Sequence, residues 1–110
     1  MEVLNHPDAD DEYRTLPERE QDAMDNAVEK LRAFGQQLGF PHTSAVQGAE
    51  NLRELRPRTG RSVWRAFYRR VGEVMVIGAF GPEAKHDPRG FETAVQRAED
   101  RLASYEAERS

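Results

Sequence analysis

One stretch of the sequence restricts the possible folds more than any other, because residues 74–80 (VMVIGAF) are apolar almost throughout. A strand with apolar side chains on both of its faces has to be covered on both faces. The run is also far shorter than the roughly 18 residues that a membrane-spanning helix requires. We therefore predict that the chain builds its core around this strand.

Two further strands are predicted directly before the apolar one. Residues 61–71 (RSVWRAFYRRV) are rich in aromatic and β-branched side chains, and residues 51–56 (NLRELR) form a shorter candidate strand. Residues 57–60 (PRTG) have the composition of a tight turn, and residues 71–73 (VGE) connect the last two strands. Three strands with such short connections predict an antiparallel meander.

Apolar residues at helical spacing precede this meander. Residues 8–15 are predicted to form a short acidic helix. A longer helix follows, and Thr15 and Glu18 at its start have the spacing of a capping box, with Pro17 in the first turn. This longer helix is predicted to end within residues 35–39, shortly before Pro41. Its apolar stripe consists of Met24, Ala27, Val28, Leu31, Phe34 and Leu38.

The two ends of the chain complete the predicted fold. Residues 2–5 (EVLN) form an opening strand, and a closing helix begins after Asp87, an expected N-cap with Pro88 at the first helical position. The stripe of the closing helix consists of Phe91, Ala94, Val95, Ala98, Leu102 and Tyr105. The predicted fold class is α+β with a small antiparallel sheet, a single domain over residues 1–110. Its order is strand, helix, helix, three-strand meander, helix.

Charge is segregated along the chain. The formal net charge is −4, yet residues 51–72 contain seven arginines against one glutamate, Glu54. A dense arginine patch on one face binds phosphate at short range even on an acidic protein. The alternative is that these arginines lie on a solvated sheet face or meet the acidic residues of the first 30 positions. The composition leaves both interpretations open.

Several classes of site are excluded or not supported by the sequence. The chain has no cysteine, which excludes a disulfide framework, a zinc–thiolate site, an iron–sulfur cluster and a cysteine nucleophile. His6, His42 and His86 are scattered without ligand spacing, so no metal site is predicted. The first residues do not have the pattern of a signal peptide, and we expect a cytoplasmic protein without a membrane partner.

Taken in order, these segments resemble the HigB-like branch of the RelE/ParE superfamily, the toxins of type II toxin–antitoxin modules. The resemblance is carried by residues 51–56, by Gly60-Arg61 leading into residues 63–68 (VWRAFY), and by the strand ending at residues 78–80 (GAF). Residues 84–88 (AKHDP) before an alanine-containing helix belong to the same pattern. Residues 81–83 (GPE) depart from it, because HigB-like sequences tend to carry basic residues there.

The resemblance implies a compact α+β domain that cuts mRNA on translating ribosomes without a metal or other cofactor. In that reaction the ribose 2′-hydroxyl attacks the adjacent phosphorus, and the protein supplies cations, a base and an acid. On this basis the predicted catalytic residues are Arg65, Tyr68, Lys85 and His86. The predicted RNA- and phosphate-binding residues are Arg53, Arg56, Arg58, Arg61, Arg69 and Arg70.

Alternation along residues 61–71 does not decide which face of that strand is exposed. If Val63 and Phe67 pack inward, Trp64 and Tyr68 form a surface with Arg70 that suits stacking on bases. If Trp64 and Tyr68 pack inward, Arg65 and its neighbours on the other face meet the RNA. The apolar area of Trp64 and Tyr68 favours the second arrangement.

The resemblance also implies partners and leaves alternative functions open. We expect a cognate antitoxin, of helix-turn-helix type and encoded beside the toxin gene, together with the ribosome and mRNA. One alternative is a non-enzymatic ParE-like inhibitor that binds DNA gyrase. The other alternative is an inactive toxin-fold module whose main property is to bind an antitoxin.

Overall fold

The computed structural model describes residues 1–109. Five strands and three α-helices make up the fold. In chain order they are β1 (Glu2–Asn5), α1 (Pro7–Thr15), α2 (Glu18–Phe34), β2 (Thr43–Ala45), β3 (Arg53–Leu55), β4 (Trp64–Val71), β5 (Val74–Pro82) and α3 (Pro88–Arg109). Short 3₁₀ turns follow α2 at Gly35–Gln37 and β3 at Pro57–Gly60.

The strands form one mixed sheet in the order β1-β5-β4-β3-β2. Strands β3, β4 and β5 are the predicted antiparallel meander, and β1 adds to β5 in parallel. The predicted α+β class is therefore confirmed. The short edge strand β2, paired antiparallel with β3, was not predicted.

Strand β5 is covered on both faces, as its apolar sequence predicts. Met75 and Ile77 pack in the core beneath α1 and α2, whereas Val76 and Ala79 pack beneath α3. The sheet is thus the middle layer between helices α1 and α2 on one side and α3 on the other. The apolar stripe of α3 is confirmed, with Ala94, Ala98 and Leu102 as its buried members.

A β-bulge at Gly78 interrupts the ladder between β4 and β5. Phe67 pairs with Ala79 and Tyr68 pairs with Ile77, so Gly78 is the extra residue. A Cβ atom at Gly78 would lie 2.9 Å from Leu102 Cγ and 3.0 Å from the Ala98 Cα. The absent side chain allows α3 to approach the sheet closely at this point.

The outer edge of β5 is completed by an ion pair where β1 ends. The β1 pairing stops at Asn5 opposite Ile77, and the next groups on that edge are Gly78 C=O and Phe80 N–H. Glu12 Oε1 accepts the Phe80 N–H at 3.0 Å, and Arg101 Nη1 donates to Gly78 O at 3.0 Å. Glu12 and Arg101 are themselves paired, with Nη2 and Oε2 2.9 Å apart. Side chains from α1 and α3 therefore satisfy backbone groups that a longer β1 would pair.

The helix ends confirm one predicted cap and correct another. Asp87 caps α3, since the Gly90 N–H donates to its Oδ1 at 3.0 Å. The predicted capping box of α2 is wrong, because Thr15 still belongs to α1 and its hydroxyl donates to the Glu12 carbonyl at 2.7 Å. Pro17 occupies the N-cap position of α2 without a side-chain hydrogen bond.

The apolar stripe of α2 is buried only in part. Met24 and Leu31 are fully buried, whereas Phe34, in the last position of the helix, is 57% exposed. Leu38 is buried but lies beyond the helix end. Within residues 1–109, no helix has the length and apolar character to cross a lipid bilayer.

Substituting Glu12 is expected to destabilise the fold. The Glu12→Ala variant leaves Arg101 without its carboxylate and the Phe80 N–H without its acceptor, and we expect a loss of roughly 2–3 kcal/mol in the free energy of unfolding. Glu12→Gln keeps an acceptor for the Phe80 N–H and is expected to lose less. Urea denaturation measures both, with the exposed Glu18→Ala as the control. Equal stability of Glu12→Ala and Glu18→Ala would contradict this account.

Tyr13 gives a second prediction, on the pH dependence of stability. Its hydroxyl donates to Asp25 Oδ1 at 2.6 Å, and this hydrogen bond, together with burial, raises the pKa of Tyr13 to about 12. The folded protein therefore holds the phenolic proton more tightly than the unfolded chain, whose tyrosine has a pKa of 10.0. The stability that Tyr13 contributes is fully present at pH values below the unfolded-state pKa of 10.0, and it is lost as the pH rises toward about 12.

The measurement is the difference in unfolding free energy between the wild type and Tyr13→Phe, followed from about pH 9 to about pH 12. Other groups that titrate in this range are common to both proteins and cancel in the difference. We expect the difference to shrink as the pH rises, and a constant difference would show that the Tyr13–Asp25 bond does not contribute.

Candidate functional site

Arg65 lies at the centre of the arginine-rich segment and is buried, with 2% of its surface exposed. Its guanidinium is held by two carboxylates, with Nε 3.2 Å from Glu54 Oε1 and Nη2 2.7 Å from Glu83 Oε2. Nη1 donates to the carbonyls of Ser62 at 2.6 Å and Trp64 at 3.0 Å, and Nη2 donates to Gly60 O at 3.3 Å. A guanidinium has five N–H donors, and all five have acceptors within the protein.

The expectation that the Arg65 side chain is exposed and faces RNA is wrong, because the side chain is buried. The preferred arrangement of the strand is observed, because Trp64, Ala66 and Tyr68 pack against the α1 and α2 core. The opposite face is covered as well, since Phe67 packs beneath α3. Glu54 and Glu83 close over Arg65 on that face. The signals that sequence analysis missed are the lone glutamate of the arginine run and the acidic residue at position 83.

Tyr68 is also a core residue, with 2% of its surface exposed. Its hydroxyl lies 2.7 Å from Thr43 Oγ1, and Thr43 Oγ1 donates to Glu54 O at 3.0 Å. Because the single Thr43 hydroxyl hydrogen is used for Glu54 O, the Tyr68 hydroxyl donates to Thr43. The phenolic proton of Tyr68 is thus engaged within the core.

The turn between β3 and β4 has an unusual backbone that Arg65 holds in place. Arg58 and Thr59 have φ values of +57° and +54°, and Gly60 follows with +93°. A β-branched residue rarely adopts this left-handed conformation unless surrounding contacts impose it. The hydrogen bonds from Arg65 to Gly60 O and Ser62 O supply such contacts.

Lys85 and His86 are exposed on the segment between β5 and α3. Trp64 pairs with Pro82, and the Glu83 N–H donates to Val63 O at 2.7 Å, so the start of β4 and the end of β5 are adjacent. Arg61, also exposed, precedes β4 at this same end of the sheet. We call Arg61, Lys85 and His86 the sheet-end surface.

The other predicted phosphate-binding arginines do not form one patch. Arg53 and Arg70 line a cavity of about 220 Å³ at the opposite end of β4. Arg69 is paired there with Glu106, its Nη1 2.9 Å from Oε1. Arg56 and Arg58 instead line a groove beside α2. Of these, Arg58 contacts the acidic N-terminal region, with Nη2 3.4 Å from Glu20 Oε2.

No group of three His, Asp or Glu side chains within residues 1–109 is placed to hold a metal ion. What the sheet-end surface offers is two exposed cations and an imidazole. An imidazole exchanges protons near neutral pH, and cations stabilise negative charge that develops on a phosphate. These are the kinds of group that chemistry on a phosphodiester uses.

The sequence profile described as phage-derived protein Gp49-like (DUF891) matches residues 11–81, more than half of the chain. The chain belongs to this Gp49-like family. No curated protein sequence matches it.

Two solved structures show that the Gp49-like chain has a RelE-type fold. A double arginine-to-alanine mutant of the E. coli toxin RelE in the free state superimposes with a TM-score of 0.59 at 15% identity, covering 87% of this chain and 95% of that one. The archaeal RelE–RelB complex from Pyrococcus horikoshii OT3 gives a TM-score of 0.52 at 18% identity, covering 74% and 92% respectively. The expected RelE/ParE-type fold is thereby confirmed.

Arg65 provides the prediction from this site. Arg65→Ala leaves Glu54 and Glu83 without their cation, and we expect a loss of roughly 3 kcal/mol or more in unfolding free energy. Arg65→Lys keeps the charge but has three donors in place of five, so it is expected to recover only part of that loss. Denaturation curves test this against Arg70→Ala, an exposed arginine expected to change stability by less than about 1 kcal/mol. Wild-type stability of Arg65→Lys would show that the fork of hydrogen bonds is unimportant.

Proposed function

We propose that this Gp49-like chain is the toxin of a type II toxin–antitoxin module, of the HigB-like branch, and that it cuts mRNA on translating ribosomes. The observation that carries the proposal is that Lys85 and His86, between β5 and α3, and Arg61, before β4, are each exposed at the same end of the sheet of a RelE-type fold. The combination of a proton-transfer group with cations is what RNA cleavage by an internal 2′-hydroxyl requires.

In the proposed metal-independent reaction, the 2′-oxygen of a ribose forms a bond to the adjacent phosphorus. The bond from phosphorus to the 5′-oxygen of the next nucleotide then breaks, leaving a 2′,3′-cyclic phosphate and a 5′-hydroxyl. The 2′-hydroxyl loses a proton as the new bond forms, and the 5′-oxygen gains a proton as it leaves. His86 carries out one of these two transfers, and solvent water carries out the other. Lys85 and Arg61 stabilise the negative charge on the phosphate oxygens in the transition state.

Arg65 has a positioning role in this proposal. It binds carbonyls on both sides of Arg61, those of Gly60 and Ser62, and it binds Glu83, two residues before Lys85. Both segments of the sheet-end surface are therefore fixed to one buried guanidinium. Tyr68 has no contact with the substrate in this proposal, and it orders the sheet through Thr43.

The proposed partners are a cognate antitoxin, the ribosome and mRNA. The archaeal RelE of similar fold was solved in complex with RelB, which supports an antitoxin partner for this chain. We propose that the antitoxin is of helix-turn-helix type, is encoded beside the toxin gene and covers the sheet-end surface. The proposed location is the cytoplasm, where translating ribosomes are present.

The test is induced expression in a bacterial host, with and without the neighbouring gene, followed by mapping of mRNA 5′ ends. We expect growth arrest with new cuts inside translated reading frames, relieved by the neighbour. His86→Ala is expected to lower cleavage by roughly 10²- to 10⁴-fold, because the proton-transfer group is lost. Lys85→Ala is expected to weaken cleavage, and Arg109→Ala, on the distant end of α3, serves as the charge-matched control.

All three substituted side chains are exposed, so thermal unfolding is expected to match the wild type. Arrest without cuts, unchanged in His86→Ala, would overturn the nuclease and favour a ParE-like inhibitor of gyrase. A chain that causes no arrest at all would be an inactive toxin-fold module.

A further inference from the structure

A groove of about 500 Å³ lies between helix α2 and the segment that joins β3 to β4. We call it the α2 groove. Four cations line it, namely Arg19 and Lys30 from α2 and Arg56 and Arg58 from the segment after β3. None of the catalytic residues proposed above contributes to its lining.

The charge of the α2 groove is unbalanced. Asp22 is the one carboxylate among its lining residues, so four cations and one anion give a formal charge of +3. This concentration occurs in a chain whose total charge is −4. Within residues 1–109, Arg19, Lys30 and Arg56 have no carboxylate within ion-pair distance, and Arg58 has Glu20 at 3.4 Å. Cations gathered in a concave site attract a polyanion at short range.

Arg56 is held in place yet lacks an acceptor. Its Nε is buried and has no hydrogen-bond partner within residues 1–109. The guanidinium packs over the Phe40 ring at 4.9 Å from the ring centroid. It also fills the space beside Gly60, where a Cβ atom would lie 2.4 Å from Nη2. A buried donor without an acceptor is costly, and no acceptor within residues 1–109 holds the Arg56 guanidinium, which lines the groove.

Phe40 extends the α2 groove with an apolar ring. It is 75% exposed, the largest exposed fraction among the large apolar side chains of residues 1–109. One face of the ring is covered by Arg56, and the rest is open to solvent. An exposed aromatic ring beside an arginine is a platform on which nucleic-acid bases stack.

We propose that the α2 groove binds the sugar–phosphate backbone of single-stranded RNA, with a base stacked on Phe40. The inference rests on the proposed function, since it gives the RNA-cutting toxin a second RNA contact apart from the sheet-end surface. Arginine forks match pairs of phosphate oxygens, and Lys30 and Arg19 supply further charge from α2. An acidic peptide would use the cations but would not need the Phe40 ring, which is why RNA is favoured.

Fluorescence anisotropy on the purified chain tests this proposal with a labelled single-stranded RNA of about twelve nucleotides. The RNA is 2′-O-methylated, so that it cannot be cleaved by its own 2′-hydroxyl. Arg56→Ala and Lys30→Ala are each expected to weaken binding roughly three- to tenfold at low salt. Each is also expected to reduce the slope of log K against log salt by about 0.7, because one phosphate contact is lost.

Matched controls separate the α2 groove from general charge and apolar effects. Arg109→Ala removes one positive charge from α3, on the other side of the sheet, and is expected to bind like the wild type. Phe40→Ala is expected to weaken binding roughly fivefold or more. Phe34→Ala removes another exposed aromatic ring, at the last position of α2, and is expected to have no effect on RNA binding. Thermal unfolding confirms that each variant is folded.

The outcomes are distinct for this proposal and for the catalytic one. Equal weakening by Arg56→Ala and Arg109→Ala would overturn the α2 groove as an RNA site. Displacement of the RNA by inorganic phosphate or by poly-glutamate as readily as by unlabelled RNA would overturn the assignment to RNA. His86→Ala is expected to lower cleavage in cells roughly 10²- to 10⁴-fold and to leave the dependence of RNA binding on Arg56 and Lys30 unchanged. If mRNA is cleaved in cells but RNA binding does not depend on Arg56, Lys30 or Phe40, the toxin proposal would stand and the α2 groove would be overturned as an RNA site.

Discussion

The three layers of this protein are joined by the ion pair of Glu12 and Arg101. The two residues come from helices on opposite faces of the sheet and meet at the edge of β5, just beyond the end of β1. There they satisfy the two backbone groups that the short first strand leaves unpaired. Without this contact, the bulged end of β5 would have exposed ladder groups between two helices. The position of α3, and with it the end of the segment that carries His86, therefore depends on a contact made by α1.

A second ionic cluster explains why an acidic chain has an arginine-rich segment. Arg65 is used inside the protein against Glu54 and Glu83, whereas Arg69 pairs with the partly exposed Glu106. A buried charge such as that of Arg65 fixes geometry more than it adds stability, because it loses its hydration. Of the other cations, Arg61 and Lys85 are exposed at the sheet end, and Arg56 and Arg58 line the α2 groove. The local placement of charged side chains, rather than the net charge of the chain, decides where the protein attracts an anion.

Local patterns were sufficient for most of the secondary structure. The apolar run of β5, the stripe of α3 and the Asp87 cap are properties of neighbouring residues, and the structure confirms them, whereas the stripe of α2 is confirmed only in part. Strand β2 has only three residues, and it is defined by its pairing with β3 rather than by its own alternation. The burial of Arg65 could not be read from period-two spacing, because its carboxylates come from β3 and from beyond β5. The α2 groove likewise combines residues from two distant segments, which sequence periodicity does not bring together.

The parallel pairing of β1 with β5 also determines when the protein can fold during synthesis. Residues 2–5 find their partners at residues 74–77, so the first strand has nothing to pair with until most of the chain has been made. Helices α1 and α2 also wait for later residues, because the sheet that covers their apolar faces is built from residues that follow them in the chain. Such non-local contacts delay the appearance of native structure on the ribosome. A nascent chain of this topology cannot form the β1–β5 pairing, or the helix layers packed on β5, until residues 74–82 have been synthesised.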